Sequence, residues 1–276
     1  MNMQGDRYPS VSGAFYPSDP EQLRDSISSM MSLVQAQVSV NPDKLIGIVV
    51  PHAGYIYSGQ TAAYAYSLVK NSSARDFVII GPNHSSYPPE TSIYPAGAWI
   101  TPLGRCPINA KEAEDIRNSV PGSKLDEKAH RKEHSVEVQL PFLQYLFDGD
   151  FTFVPIIMGD QRLEMATYLS DGLASLGKLP MLIASSDLTH YEPLETARRK
   201  DRMLLDAVES LDLHRFYRTL EQNVITACGY GAIATLMSVT AKLGGRMRVL
   251  NYSTSYETSG ESYSVVGYSA IAAYME

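Results

Sequence analysis

The chain has 276 residues, 44% of them apolar, two cysteines and a formal charge of −7. That length suits one large α/β domain, the charge argues against a nucleic-acid footprint, and two cysteines exclude a disulfide framework. The N-terminus lacks the charged and apolar regions of a signal peptide and the apolar runs fall far short of a membrane span, so a cytoplasmic chain with no membrane partner is expected.

In chain order, Arg7 to Pro17 is turn-rich, and a helix is expected from about Ser18 to Gln37. Pro20 suits its first turn and Glu21 completes a Ser-x-x-Glu capping box. Leu45 to Val50 is a continuous apolar, β-branched run, the mark of a strand covered on both faces. Ser58 to Lys70 reads as a helix, Phe77 to Ile80 as a second buried strand, and residues 91–108 as short strands and turns. A short helix over Ala110 to Asn118 precedes a polar loop, Lys124 to Lys132, and a helix from His134 to Phe147 that Pro141 should kink. Strands at Phe151 to Met158 and Met181 to Ala184 bracket a helix, Arg162 to Leu176. Helices over 194–210, 213–222 and 231–243 lead to a closing hairpin of Met247 to Tyr252 with Tyr263 to Tyr274. Alternating strands and helices imply one α/β domain over 1–276, with a mainly parallel or mixed central sheet flanked by helices.

The chemically capable residues follow the buried strands. His52 comes two residues after Val50, His84 four after Ile80, and Asp187 and His190 follow Ala184. Cys228 precedes the apolar helix at 231. Ligands of open α/β sheets bind outside the carboxyl ends of the strands, so these residues are expected to meet there. His52, His84 and Cys228 would then form a three-ligand set with open positions, as catalytic metal sites have, and the following helix N-terminus should favour the Cys228 thiolate. The same residues also read as hydrogen-bonded structural histidines and a small buried cysteine. In a reducing cytosol Cys106 and Cys228 are expected as free thiols. Asp187 and His190 suit either a carboxylate–imidazole pair or a capping network at a strand end. His134 and Glu137, three apart, share a helix face if that segment is helical, as a proton-transfer pair or a polar helix start. His130 and His214 sit among polar residues and are expected to face solvent. Gly229-Tyr230-Gly231-Ala232-Ile233-Ala234 fits a loose dinucleotide pattern but lacks a good preceding strand and the acidic residue that holds a ribose.

Several strings together resemble the Memo family. They are Gly13-Ala14-Phe15-Tyr16-Pro17, Pro51-His52-Ala53-Gly54-Tyr55, Gly81-Pro82-Asn83-His84, the run Glu133 to Pro141, Ser185 to Tyr191, and Ala227-Cys228-Gly229. The resemblance implies a fold similar to class III extradiol dioxygenases, which open catechol rings with oxygen and non-haem iron(II). It implies metal-site residues at His52, His84 and Cys228, with iron as the first metal and copper or zinc as alternatives. It implies acid–base roles for His190 and His134, with Asp187 beside the metal residues; in the redox reading Asp187 or Glu137 would orient those histidines. It also implies radical-SAM and AMMECR-type partner proteins, and a small molecule or peptide in the pocket. One departure is built into the sequence. Ring-cleaving enzymes use two histidines and a carboxylate, whereas Cys228 supplies a softer thiolate at the third position.

Overall fold

The computed structural model describes residues 5–34, 40–85 and 90–276. A nine-stranded mixed sheet runs in the order His190–Glu192, Val265–Tyr274, Leu45–Val50, Met181–Ser185, Asp76–Pro82, Thr152–Met158, Thr91–Ile93 and Ser123–Leu125, with Arg246–Thr254 also paired to Val265–Tyr274. The strands Leu45–Val50, Met181–Ser185, Asp76–Pro82 and Thr152–Met158 are parallel to one another. Val50 stands opposite Ser185, Ile80 opposite Ala184, and Pro82 opposite Met158. Antiparallel neighbours close this group on both sides. A small separate sheet joins Asp6–Arg7 to Ala98–Thr101 and Gly104–Pro107.

The apolar strands are covered on both faces. Phe77, Ile79 and Ile183 pack with the helices Pro20–Ser32, Tyr55–Val69 and Leu140–Phe147. Val78, Ile80, Leu182 and Ala184 pack on the other side, with Leu163–Ala174, Leu194–Glu209 and Tyr230–Lys242 among the covering helices. Strict alternation along a continuous apolar run is what burial of both faces requires. Among the described residues no helix is long and apolar enough to cross a membrane.

Several boundaries differ from the sequence expectation. The first helix spans Pro20–Ser32, and its cap is Asp19, which accepts from Gln22 N at 2.9 Å, rather than Ser18. Residues 35–39 at its expected end lie outside those described. The second helix starts at Tyr55, ahead of Ser58, because Phe15 O accepts its first N–H at 2.7 Å. Pro141 produces no kink, since the helix begins at Leu140 and proline sits in its first turn, where its missing N–H is harmless. Ahead of it lies only a short 3₁₀ turn, Glu137–Gln139. The polar loop at 124–132 contributes an edge strand, Ser123–Leu125, and a 3₁₀ turn, Lys128–His130. His130 is fully buried rather than solvent-facing: its ring lies edge-on to Trp99 and Tyr94 and its carbonyl accepts from Arg7 Nε at 2.6 Å. His214 is exposed. The helix at Tyr230 follows another helix, Leu213–Gln222, and not a strand, so the dinucleotide pattern lacks its structural setting.

Candidate metal centre

All four parallel strands deliver site residues from their carboxyl ends. His52 follows Leu45–Val50, His84 follows Asp76–Pro82, Asp187 follows Met181–Ser185, and Gln161 follows Thr152–Met158. The Gln161 amide donates to Cys228 O and accepts from Gly231 N, each at 2.8 Å, and so fixes the turn that carries Cys228. That turn lies directly on the strand end. A Cβ at Gly229 would fall 2.2 Å from Ser185 O, so only glycine permits this approach. Gly81 plays the same part under His84, where a Cβ would meet Ser135 Oγ at 2.2 Å.

One ligand atom each from His52, His84 and Cys228 lies within 4.8 Å of the others, and His52 Nε2 stands 3.1 Å from Cys228 Sγ. A tetrahedral metal spaces such nitrogen and sulfur donors by roughly 3.5 Å. Hydrogen bonding also fixes the tautomers. Ser185 Oγ has one proton and donates it to Ser135 O at 2.7 Å. It accepts from Gln139 Nε2 at 2.9 Å, and that amide nitrogen is itself fixed as a donor by Pro51 O at 2.9 Å. The remaining contact, His52 Nδ1 at 2.9 Å, must therefore be an N–H donated to Ser185 Oγ. His52 Nε2 is left as a lone pair facing the thiol.

At His84 the fixing group is Glu133, a buried carboxylate. It accepts from His84 N at 2.7 Å and from His84 Nδ1, His134 N and Ser135 N at 2.9 Å each. Burial pushes the Glu133 carboxyl up, but the bonds from His84 and the backbone outweigh it and hold it at about 2. His84 Nδ1 thus carries a proton, leaving Nε2 as the ligand atom. Burial pushes the His84 pKa down, and the Glu133 bond and charge more than reverse this. Burial pushes the His52 pKa well down, helped by His134 and His84, so this imidazole is neutral. Burial also pushes the Cys228 thiol up, with Asp187 adding to the effect. Burial and Asp187 thus oppose the effect expected of the following helix N-terminus. Cys106 and Cys228 are both free.

The three residues open into a cleft of about 520 Å³ shared with Phe15, His134, Asp187 and His190. His134 stacks on His84, centroids 4.6 Å apart, and Phe15 covers it at 4.8 Å. Burial lowers the His134 pKa. His190 Nδ1 donates to Leu188 O at 2.7 Å and Thr226 O at 3.0 Å, so its Nε2 is the free base position. Asp187 does not orient His190. Its Oδ1 accepts from His52 N at 2.8 Å and Ala53 N at 3.3 Å, which is the capping alternative, although it borders the cleft. Burial pushes its carboxyl up. Glu137 is not brought into the cleft. It accepts from Arg7 Nη1 and Tyr16 OH at 2.8 Å and from Ser10 and Val11 N–H groups.

Sequence reasoning passed over Glu133, Ser185, Gln139 and Gln161 as orienting groups. Glu133 and Ser185 stood inside quoted strings, but neither is close in sequence to the histidine it fixes. A larger hollow of about 700 Å³ lies between helices Pro20–Ser32 and Tyr55–Val69, but among the described residues no histidine, cysteine or carboxylate lines it.

Comparison with known proteins agrees with these observations. Residues 7–272 match the family model described as Memo-like protein. A MEMO1 family protein of Thermoplasma volcanium is 48% identical over 267 residues, covering 97% of this chain and 98% of that protein. One from Thermoplasma acidophilum is 47% identical, covering 96% and 97%. Among solved structures, an uncharacterized protein from Escherichia coli K12 shares the fold, with a TM-score of 0.56 at 13% identity, covering 82% of this chain and 99% of that one. The chain belongs to the Memo family.

Proposed function

We propose that this protein binds one metal ion through His52 Nε2, His84 Nε2 and Cys228 Sγ, and that the cleft carries out metal-dependent redox or oxygen chemistry on a small molecule. The observation that carries the reading is the double tautomer lock: Ser185 and Glu133 each consume an Nδ1 proton and leave two lone pairs and a sulfur facing one point. Metal-bound histidines are oriented by just such partners. Iron is the first candidate, with copper or zinc as the alternatives a softer thiolate set admits. When bound, such an ion supplies Lewis acidity and, if it changes valence, single-electron chemistry.

The chain's own residues supply the rest. His190 Nε2, its ring fixed by two carbonyls, accepts or returns a proton at the cleft wall. His134, which stacks on His84 and lies under the tilted Phe15 ring, does the same from its own part of the cleft lining. Asp187 borders the cleft beside them, its carboxylate held by the His52 and Ala53 N–H groups. The test is metal content after anaerobic, chelator-free purification, followed by oxygen consumption with catechol-like and thiol compounds. Stoichiometric metal and turnover lost in His52→Ala support the reading; a metal-free pocket in metal-replete protein ends it.

A second reading, recognition of a peptide or protein without catalysis, is favoured by Tyr191. It stands 77% exposed at the cleft mouth, on a strand irregularity and with φ of +58°. Residues held in that region mark functional sites more often than chance. On this reading radical-SAM and AMMECR-type proteins in the cytoplasm are the proposed partners. Capture that is indifferent to His84→Ala and Tyr191→Ala counts against it.

A further inference from the structure

We propose that Arg7 and Glu137 are positioning residues for the candidate metal centre, a buried pair that holds two walls of the cleft in place at once. The inference rests on the metal reading for its purpose, but not for its geometry.

Arg7 is only 5% exposed and its guanidinium lies over the Trp99 ring at 4.0 Å. It donates from Nε to His130 O at 2.6 Å, from Nη2 to Glu133 O at 2.7 Å, and from Nη1 to Glu137 Oε2 at 2.8 Å. These acceptors bracket one irregular segment, 130–137. That segment presents the Glu133 carboxylate to His84 and the His134 ring to the cleft. The segment has turn bonds of its own, from Glu133 N to His130 O and Val138 N to His134 O, and the Glu133 carboxylate caps His134 N and Ser135 N; the guanidinium fork ties its two ends and its middle together. A planar five-donor group can hold such an array and an ammonium cannot.

Glu137 holds the other wall. Its Oε1 accepts from Val11 N at 3.0 Å and Tyr16 OH at 2.8 Å; its Oε2 accepts from Ser10 N and Ser10 Oγ at 2.8 Å. The N-terminal segment is thereby pinned on both sides of Phe15. Phe15 O in turn caps Tyr55 N, next to the His52 turn, and the Phe15 ring covers His134. The groups that donate to Glu137 all lie in the first sixteen residues, and the Arg7 guanidinium joins them to the segment that carries Glu133 and His134. Glu137 thus acts through other residues, and touches nothing in the cleft itself.

The test uses the full-length protein with cobalt(II) as the probe, in wild type, Arg7→Lys and Glu137→Gln, each checked by circular dichroism for a native fold. Cobalt reports thiolate ligation by a charge-transfer band and the histidine ligands by its ligand-field bands. The expected result is a roughly 10-fold loss of cobalt affinity, the low end of the range for direct outer partners of metal ligands, because Arg7 and Glu137 act one residue further out. The ligand-field bands should change while the thiolate band persists, because Cys228 is held from the far side by Gln161 and Asp187. Folded variants with wild-type affinity and superimposable spectra overturn the proposal. Absence of cobalt binding by wild type is a failure of the metal reading alone. In that case histidine ¹⁵N shifts in the metal-free protein decide. They should show His84 losing its single Nδ1–H tautomer in Arg7→Lys, and an unchanged His84 overturns the proposal.

Discussion

Glu133→Gln is the sharpest test of how the site is built. The wild-type carboxylate accepts four N–H groups, from His84 twice and from His134 and Ser135, and is 1% exposed. An amide keeps the shape but turns one acceptor into a donor, so at least one buried N–H is left facing another donor. The wild-type carboxyl is held at about 2 against an ordinary 4.5. At about 1.4 kcal/mol per pKa unit, that gap corresponds to roughly 3 kcal/mol of native-state preference for the carboxylate. The sign follows from a depressed acid. The contribution is present in full above the unfolded value and is lost as pH falls from about 4.5 to about 2. For a chain this long, roughly 3 kcal/mol corresponds to a Tm lowered by about 5 °C at pH 7. Calorimetry from pH 7 to 2 should show the variant less stable at neutral pH, with the two curves converging in acid. Equal Tm values at pH 7, or a gap that persists unchanged at pH 2, would refute the reasoning.

Other outcomes follow from the same geometry. Ser185→Ala removes the acceptor for His52 Nδ1–H, so metal affinity should drop 10- to 100-fold; a calorimetric titration matching wild type would contradict the tautomer argument. Gly229→Ala places a Cβ 2.2 Å from Ser185 O, and should cost about 3 kcal/mol in denaturant unfolding while also weakening metal binding, because Cys228 must move. His130 is buried beside Arg7, and burial with that charge presses its pKa from 6.5 to about 3. A depressed histidine costs stability as pH falls below its unfolded value, so wild type should lose about 2 kcal/mol between pH 7 and 5 that His130→Phe does not lose. Parallel pH dependence in the two proteins would sink that account.

The parallel core strands were legible because burial on both faces leaves an unbroken apolar run, as in Leu45–Val50 and Phe77 to Ile80. Once those strands were in place, His52 and His84 could be put at one edge by counting a few residues forward. The closing antiparallel hairpin of Arg246–Thr254 with Val265–Tyr274 was legible as well, whereas the three-residue strand His190–Glu192 was harder, since short strands leave little periodic signal. The error over His134 and Glu137 has one cause. A spacing of three implies a shared face only in a helix, and the chain at 134 is irregular because Glu133 caps the N–H groups there. His130 was misread because Lys128, Arg131 and Lys132 surround it in sequence, while Arg7, Trp99 and Tyr94 cover it in space. Glu133 and Ser185 escaped notice as orienting groups because each acts on a histidine at least 49 residues away, and Gln139 acts on His52 only through Ser185.

X-ray absorption at the metal edge tests the central claim most directly, since it reads the donor atoms themselves. Protein loaded with one equivalent of zinc should show one sulfur at about 2.3 Å and two imidazole nitrogens at about 2.0–2.1 Å, with the sulfur lost in Cys228→Ser. A shell of oxygen alone, or a wild-type spectrum with no sulfur scatterer, would contradict it.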